Sequence, residues 1–195
     1  NSGQWLEDAV GMDGEPRADM PTLNRWMVQA QVALGPDALN VSNHEIAGLA
    51  AIGGDARLLP LVSANVQGPG ISEVIVVERA GRRIAITGIA ARGMTLRPTP
   101  GYTMTDPYPA AKALLQRTEA DLKIVLSYHA REAAKRLAED GLVDLVIDAH
   151  RHRTLDVPSQ VGSALWVRAH FQAMRMGELR LGFGTEGLAW ALDRK

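Results

Sequence analysis

Four of the five histidines in this 195-residue chain fall in three short segments, each closing a stretch of strand character. They are Asn43-His44-Glu45, His129 in Leu-Ser-Tyr-His, and the pair His150 and His152 in Asp-Ala-His-Arg-His. Imidazole is the commonest ligand of borderline divalent metals and the usual general acid near neutral pH. Open α/β sheets build their sites from loops at strand ends, so the three placements point to one site. His150 and His152 follow a nearly continuous apolar strand and can converge if the chain turns there. Their neutral nitrogens would then hold Mn, Zn or Fe. Arg151 and Arg153 flank them, and a solvated basic loop is the competing reading. His129 repeats the strand-end placement but alone would read as structural. At Asn43-His44 an amide oxygen can ligate a metal while the adjacent imidazole protonates a leaving group. A plain helix cap at Ser42 or Asn43 is the alternative.

The elements that must position these residues interleave helix and strand. Pro21-Thr22 opens a helix whose apolar residues Leu23, Trp26, Met27, Ala30 and Leu34 fall at helical spacing, and Gly35-Pro36 stops it. Residues 38–41 read as a short strand, and Ser42 or Asn43 caps a helix that runs to Ile52 before Gly53-Gly54. Residues 61–66 form the next strand, and 74–78 with 83–89 form a hairpin around Ala80-Gly81. Residues 92–108 carry three prolines and two glycines and read as an excursion loop that could line a substrate cleft. A helix over 110–117, a buried strand over 123–126, an amphipathic helix over 130–140 and a buried strand over 142–147 follow. The tail offers strands at 164–169, 178–183 and 188–192. Parallel units and hairpins together predict an α/β domain with mixed sheets. Trp26 and Trp190 read as core residues, and His170 as a structural histidine in a strand.

Composition narrows the classes. A hydrophobic fraction of 46%, a charged fraction of 22% and a net charge of -1 are ordinary for a globular domain and give no nucleic-acid footprint. No apolar run approaches the roughly 20 residues of a membrane span. With no cysteine, disulfides, thiolate metal sites and a cysteine nucleophile are excluded. The length fits one domain, 1–195. The absence of a starting methionine and of a leader reads as a processed product or a fragment.

Taken in order, the histidine segments resemble the calcineurin-like metallophosphoesterases, specifically their 5'-nucleotidase branch. That branch carries Gly-Asn-His-Glu/Asp, then a lone histidine after a strand, then Gly-His-x-His. Here these read Ser-Asn-His-Glu (42–45), Leu-Ser-Tyr-His (126–129) and Ala-His-Arg-His (149–152). Supporting segments are Asp37-Ala-Leu-Asn-Val, Leu61-Val-Ser-Ala-Asn-Val, Thr105-Asp-Pro-Tyr-Pro-Ala-Ala and Met176-Gly-Glu-Leu-Arg-Leu, so the likeness covers nearly the whole chain. The resemblance implies a four-layer α/β/β/α sandwich of two mixed sheets. It makes Asn43, His129, His150 and His152 metal ligands and His44 the catalytic histidine, with two divalent metals promoting hydrolysis of a phosphate-ester substrate. It also implies an exported, periplasmic setting.

The departures are specific. The branch begins with Asp-x-His and then Gly-Asp, whose aspartate bridges both metals. Asn1-Ser2-Gly3-Gln4 aligns with the second of these, which puts Gln4 at the bridging metal position and leaves the first strand and its Asp-x-His outside this chain. The chain therefore reads as a domain truncated at its N-terminus, its complement an upstream segment or another chain. A neutral amide bridges two cations poorly and leaves their roughly four positive charges without an offset. Ala47 occupies the place of an aspartate that orients the catalytic histidine, and Ala149 that of a glycine. The nucleotide-binding second domain of true 5'-nucleotidases is not represented. Two functions remain: an impaired metal-dependent phosphoester hydrolase, or a catalytically inactive binding or assembly module on the same scaffold. A sulfur-ester hydrolase is a variant of the first.

Overall fold

The computed structural model describes residues 5–7, 17–92, 99–149, 158–168, 178–184 and 187–190. The chain opens with α1 (Met20–Leu34), β1 (Leu39–Asn40) and α2 (Asn43–Ile52), followed by a 3-10 turn (Gly53–Leu58). Next come β2 (Leu61–Val62), β3 (Val66–Gln67), the hairpin β4 (Ile75–Arg79) and β5 (Arg82–Ala90), and β6 (Thr103–Met104). Then α3 (Pro107–Arg117), β7 (Leu122–Tyr128), α4 (Arg131–Glu139) and β8 (Leu145–Ala149) alternate. The hairpins β9 (Ser159–Val161) with β10 (Ala164–Arg168), and β11 (Leu181–Gly184) with β12 (Gly187–Trp190), complete the order.

The main sheet has six strands in the order β4-β5-β7-β8-β10-β9. Its four central strands run parallel, and β4 and β9 flank them antiparallel. Both faces are covered, which is why β7 and β8 read as continuous apolar runs rather than alternating ones. On one face α3 and α4 press Ala111, Leu115, Ala134 and Leu137 onto Ile89, Val125, Val146 and Trp166. On the other, the parallel pair β1–β2 lies over Ile86 and Leu126 through Ala38 and Val62. Outside that pair, α1 and α2 bury Val28, Ile46, Leu49 and Ile52 against Leu39, Val41 and Leu61. The layers therefore run α/β/β/α, as expected. The second β layer consists of β1–β2, and β3–β6 and β11–β12 are separate antiparallel pairs.

Most elements fall where the sequence places them. The β4–β5 turn has Ala80 at φ 50° and Gly81 at φ 72°, the two positive angles of a primed hairpin turn. The expected strand over 61–66 is divided, because Ser63 pairs outward to Ser72 and its hydroxyl caps Val66 N–H. α3 starts at Pro107, earlier than expected, because Asp106 caps it by accepting from Tyr108 N–H.

One reading is reversed. The face of α1 that buries itself is Met20, Asn24, Val28 and Gln31, whereas Leu23, Trp26 and Leu34 are exposed. Trp26 is 66% accessible and is not a core residue. The cause is Asn24, whose side-chain amide accepts from Glu7 N–H (2.9 Å) and donates to Glu7 O (3.2 Å). Gripping that backbone satisfies polar groups where the segment 5–7 leaves the core, so a polar residue turns inward and carries the helix with it. The segment it holds, Trp5-Leu6, is buried in the same core as Val28 and Leu49. Leu6 lies over Gly48, where a Cβ would come within 3.0 Å of it. Trp190 and His170 lie among residues whose side chains the structure does not describe.

Candidate active site

The site grows from the first turn of α2. Ser42 is its N-cap, and its hydroxyl accepts from His44 N–H (3.2 Å). Glu45 reaches back to accept from Ser42 N–H (2.9 Å) and from the Ser42 hydroxyl, which completes a capping box. Its other oxygen accepts from Trp5 N–H (2.8 Å). The Glu45 side chain is fully buried, and desolvation pushes its pKa up. The hydrogen bonds from Ser42 and Trp5, and then the charge of His44, pull the other way. Trp5 adds a second tie, donating from Nε1 to Asn40 O (3.2 Å). The residue immediately after Gln4 is therefore anchored to β1 and to the start of α2.

Asn40, just before the cap, links the two β layers. Its buried side-chain nitrogen donates to Ile89 O (3.0 Å) and Leu126 O (3.2 Å), on β5 and β7. This fixes the start of α2 relative to the C-terminal ends of the parallel strands. Tyr128, the last residue of β7, is buried there and meets His44 edge-on, with centroids 5.6 Å apart. His129 follows, its ring 4.5 Å from that of Tyr128. Its φ of 53° lies in the left-handed region, which histidine visits more readily than most residues, and this turns the chain out of β7 into α4. His44 and His129, 85 positions apart in sequence, thus face one tyrosine ring from opposite sides of the layer boundary.

The third segment joins through strand register. Ala149, the last residue of β8, pairs with Tyr128, and His129 N–H donates to Ala149 O (3.5 Å). His150, His152 and Gln4 lie outside the described residues. The described donors are the half-buried Asn43 and the imidazoles of His44 and His129. Among the described residues no three His, Asp or Glu side chains gather as a metal-ligand set. This donor set holds no carboxylate, so it suits a metal only with ligands from the remaining segments. Ala47 is exposed, and nothing at that position can orient His44 as an aspartate would.

Several residues that shape this edge were not singled out from sequence. Asn65 is fully buried and holds Ala90 by both its N–H (3.0 Å) and its carbonyl (2.9 Å), then donates to Thr105 O (3.0 Å). Asp148 and Arg168 are cross-strand neighbours that form a buried ion pair two residues before His150. Both look like ordinary polar residues in sequence, because their partners come from other strands. Glu45 did carry a local signal: Ser42-x-x-Glu45 is a capping-box spacing.

No protein-family profile matches the chain, and no curated protein matches its sequence. Solved structures do. The NAD nucleotidase NadN of Haemophilus influenzae superposes with a TM-score of 0.70 at 18% identity, over 86% of this chain and 41% of its own. A Staphylococcus aureus protein assigned as a 5'-nucleotidase gives 0.68 at 15% identity, over 88% and 41%. The sulfate thiohydrolase SoxB of Thermus thermophilus gives 0.62 at 18% identity, over 73% and 29%. The chain carries the calcineurin-like metallophosphoesterase fold. It spans about two-fifths of the first two proteins, 41% of each. Within this metallophosphoesterase fold, the described histidines occupy the C-terminal edge of the parallel strands, where open α/β sheets place their chemistry. No helix among the described residues is long and apolar enough to cross a membrane.

Proposed function

We propose that this chain is a metal-dependent phosphoester hydrolase domain of the 5'-nucleotidase type, with an activity weakened at Gln4 and Ala47. The observation that supports it most is the convergence of His44 and His129 on the Tyr128 ring at the ends of the parallel strands. Asn43, His129, His150, His152 and Gln4 would hold divalent metals, with Mn, Zn or Fe suited to imidazole donors. Such ions would neutralise the phosphoryl oxygens of a phosphate ester. His44 delivers a proton to the departing ester oxygen as water attacks phosphorus and the P–O bond to the alcohol breaks. The edge of Tyr128 restricts the His44 ring, and the Ser42–Glu45 box restrains the backbone that carries it. Gln4 contributes no negative charge, so metal affinity and turnover are expected to be low.

The test is metal content and turnover together. Protein prepared with manganese is assayed for bound metal and for hydrolysis of an aryl phosphate, beside His44→Ala. Turnover that His44→Ala abolishes while metal is retained supports the reading, and Gln4→Asp should raise metal occupancy. No metal and no turnover, with Gln4→Asp included, sinks it.

A second reading, an inactive binding or assembly module, is favoured by one observation. Leu23 (42%), Trp26 (66%) and Leu34 (74%) form an exposed apolar row along α1. Association with another chain, read out as a mass above the monomer that Trp26→Ser abolishes, together with no metal binding, would favour this reading over the first.

A further inference from the structure

Beside His129 the surface opens into a cavity of 370 Å³ between the end of β5 and the starts of α3 and α4. His129 forms one wall, and Arg92, Arg131 and Arg136 contribute cations against Asp106 and Glu132. Asp106 caps α3 by accepting from Tyr108 N–H (3.0 Å), and three guanidiniums against two carboxylates leave the lining cationic by one formal charge. Two of the guanidiniums are already set in place by aromatic faces. Arg136 lies 3.6 Å from the Tyr108 ring centroid, and Arg131 lies 5.8 Å from that of Trp166. The Tyr108 ring is itself fixed, because its hydroxyl donates to Asp140 (2.7 Å) and accepts from Lys112 (3.1 Å). Stacking leaves the in-plane N–H edges of a guanidinium open to an anion and lowers the entropy lost on binding one. The first turn of α4 adds backbone N–H groups on the same side.

We propose that this cavity is the subsite for the leaving-group half of the substrate, and that it selects alcohols carrying a second anionic group, a carboxylate or a further phosphate. The inference rests on the phosphoesterase reading for the location of the scissile bond. A phosphoryl group at His44 and His129 would direct one substituent past His129 into the cavity. There Arg131 and Arg136 would meet a negative charge that a neutral alkyl ester lacks.

Two probes and two variants test it. Phosphoglycolate carries a carboxylate on its leaving group, and ethyl phosphate does not. Binding of each to the full chain is followed by calorimetry with and without manganese, and turnover of each is measured in parallel. Each cation removed should weaken phosphoglycolate about tenfold, the scale of a partly exposed charged hydrogen bond. Arg131→Gln and Arg136→Gln should therefore both do so and leave ethyl phosphate within about twofold, while Arg136→Lys should recover part of the loss. Thermal melts confirm that the variants fold, and Arg131→Gln stands alone if loss of the Arg136–Tyr108 stack unfolds the chain. Equal affinity for the two phosphates, or equal losses in both for the Arg variants, overturns the inference while His44-dependent turnover still upholds the hydrolase reading. Phosphoglycolate binding that depends on Arg131 and Arg136 without any turnover upholds the anion site and removes the hydrolase.

Discussion

Replacing Glu45 separates two forces that meet at the start of α2. Its carboxylate accepts from Trp5 N–H, Ser42 N–H and the Ser42 hydroxyl, and no part of it reaches solvent. Glu45→Ala leaves two buried backbone donors without an acceptor, at roughly 1–3 kcal/mol each, and one of them is the Ser42 N–H that closes the capping box. A loss of about 3–5 kcal/mol is expected, a large part of the stability of a domain this size. Glu45→Gln keeps one acceptor and removes the charge, so its cost depends on pH. Burial raises the Glu45 pKa in the folded chain above the ordinary glutamate range. The folded state then holds its proton where the unfolded state has released it, so the group's contribution falls as pH rises from about 4.5 through the folded pKa. The slope in that window is roughly 1.4 kcal/mol per pH unit and applies to the parent chain only. Urea unfolding of the parent and of Glu45→Gln from pH 4 to pH 8 reads this directly. The stability gap between them should shrink as pH rises. A gap that widens would mean that the hydrogen bonds from Ser42 and Trp5 outweigh desolvation, and the reasoning fails.

Other perturbations test the layer boundary and the helix face. At Gly88 a Cβ would sit 1.9 Å from the Asn40 side-chain oxygen and 2.7 Å from Val62 O, so Gly88→Ala must push β1–β2 off the main sheet. A loss of at least about 3 kcal/mol in chemical denaturation is expected, and near-neutrality would show that the layers are not in contact there. Breaking the Asp148–Arg168 pair with Arg168→Met leaves a buried carboxylate alone and should cost about 3–5 kcal/mol. The double change Asp148→Leu with Arg168→Met should cost much less than the sum of the single changes, and additive losses would argue against direct coupling. Trp26→Ser should change the unfolding free energy very little, within about 0.5 kcal/mol, because the side chain is mostly in solvent. A loss of 3–5 kcal/mol, typical of a buried tryptophan, would restore the face of α1 that periodicity alone picks.

The contrast at α1 shows what sequence can and cannot supply here. Leu23, Trp26, Met27 and Leu34 make a better apolar stripe than Met20, Asn24, Val28 and Gln31, yet the second set is buried. Periodicity reports only the helix's own residues, whereas the outcome is decided by Asn24 meeting the backbone of Glu7. The elements around the histidines were legible for the opposite reason. Strands β7 and β8 are buried on both faces, and a parallel crossover through α4 leaves one way to order them. Once they pair, the residues that follow each strand fall at the same edge. The same logic explains which parts of the site stayed hidden. Asn40, Asn65 and the Asp148–Arg168 pair act between elements distant in sequence, with no local spacing to reveal them. Asn40 and Asn65 satisfy backbone groups that stacking the layers would otherwise bury unpaired, and the ion pair joins neighbouring strands of one sheet, so their identities follow from the fold rather than forecast it. The capping box is the intermediate case, since Ser42-x-x-Glu45 was readable but its third partner, Trp5 N–H, was not. That partner draws the segment after Gln4 onto the helix that presents Asn43 and His44, so a substitution at Glu45 should disturb Asn43 and Gln4, two of the proposed metal positions, at once.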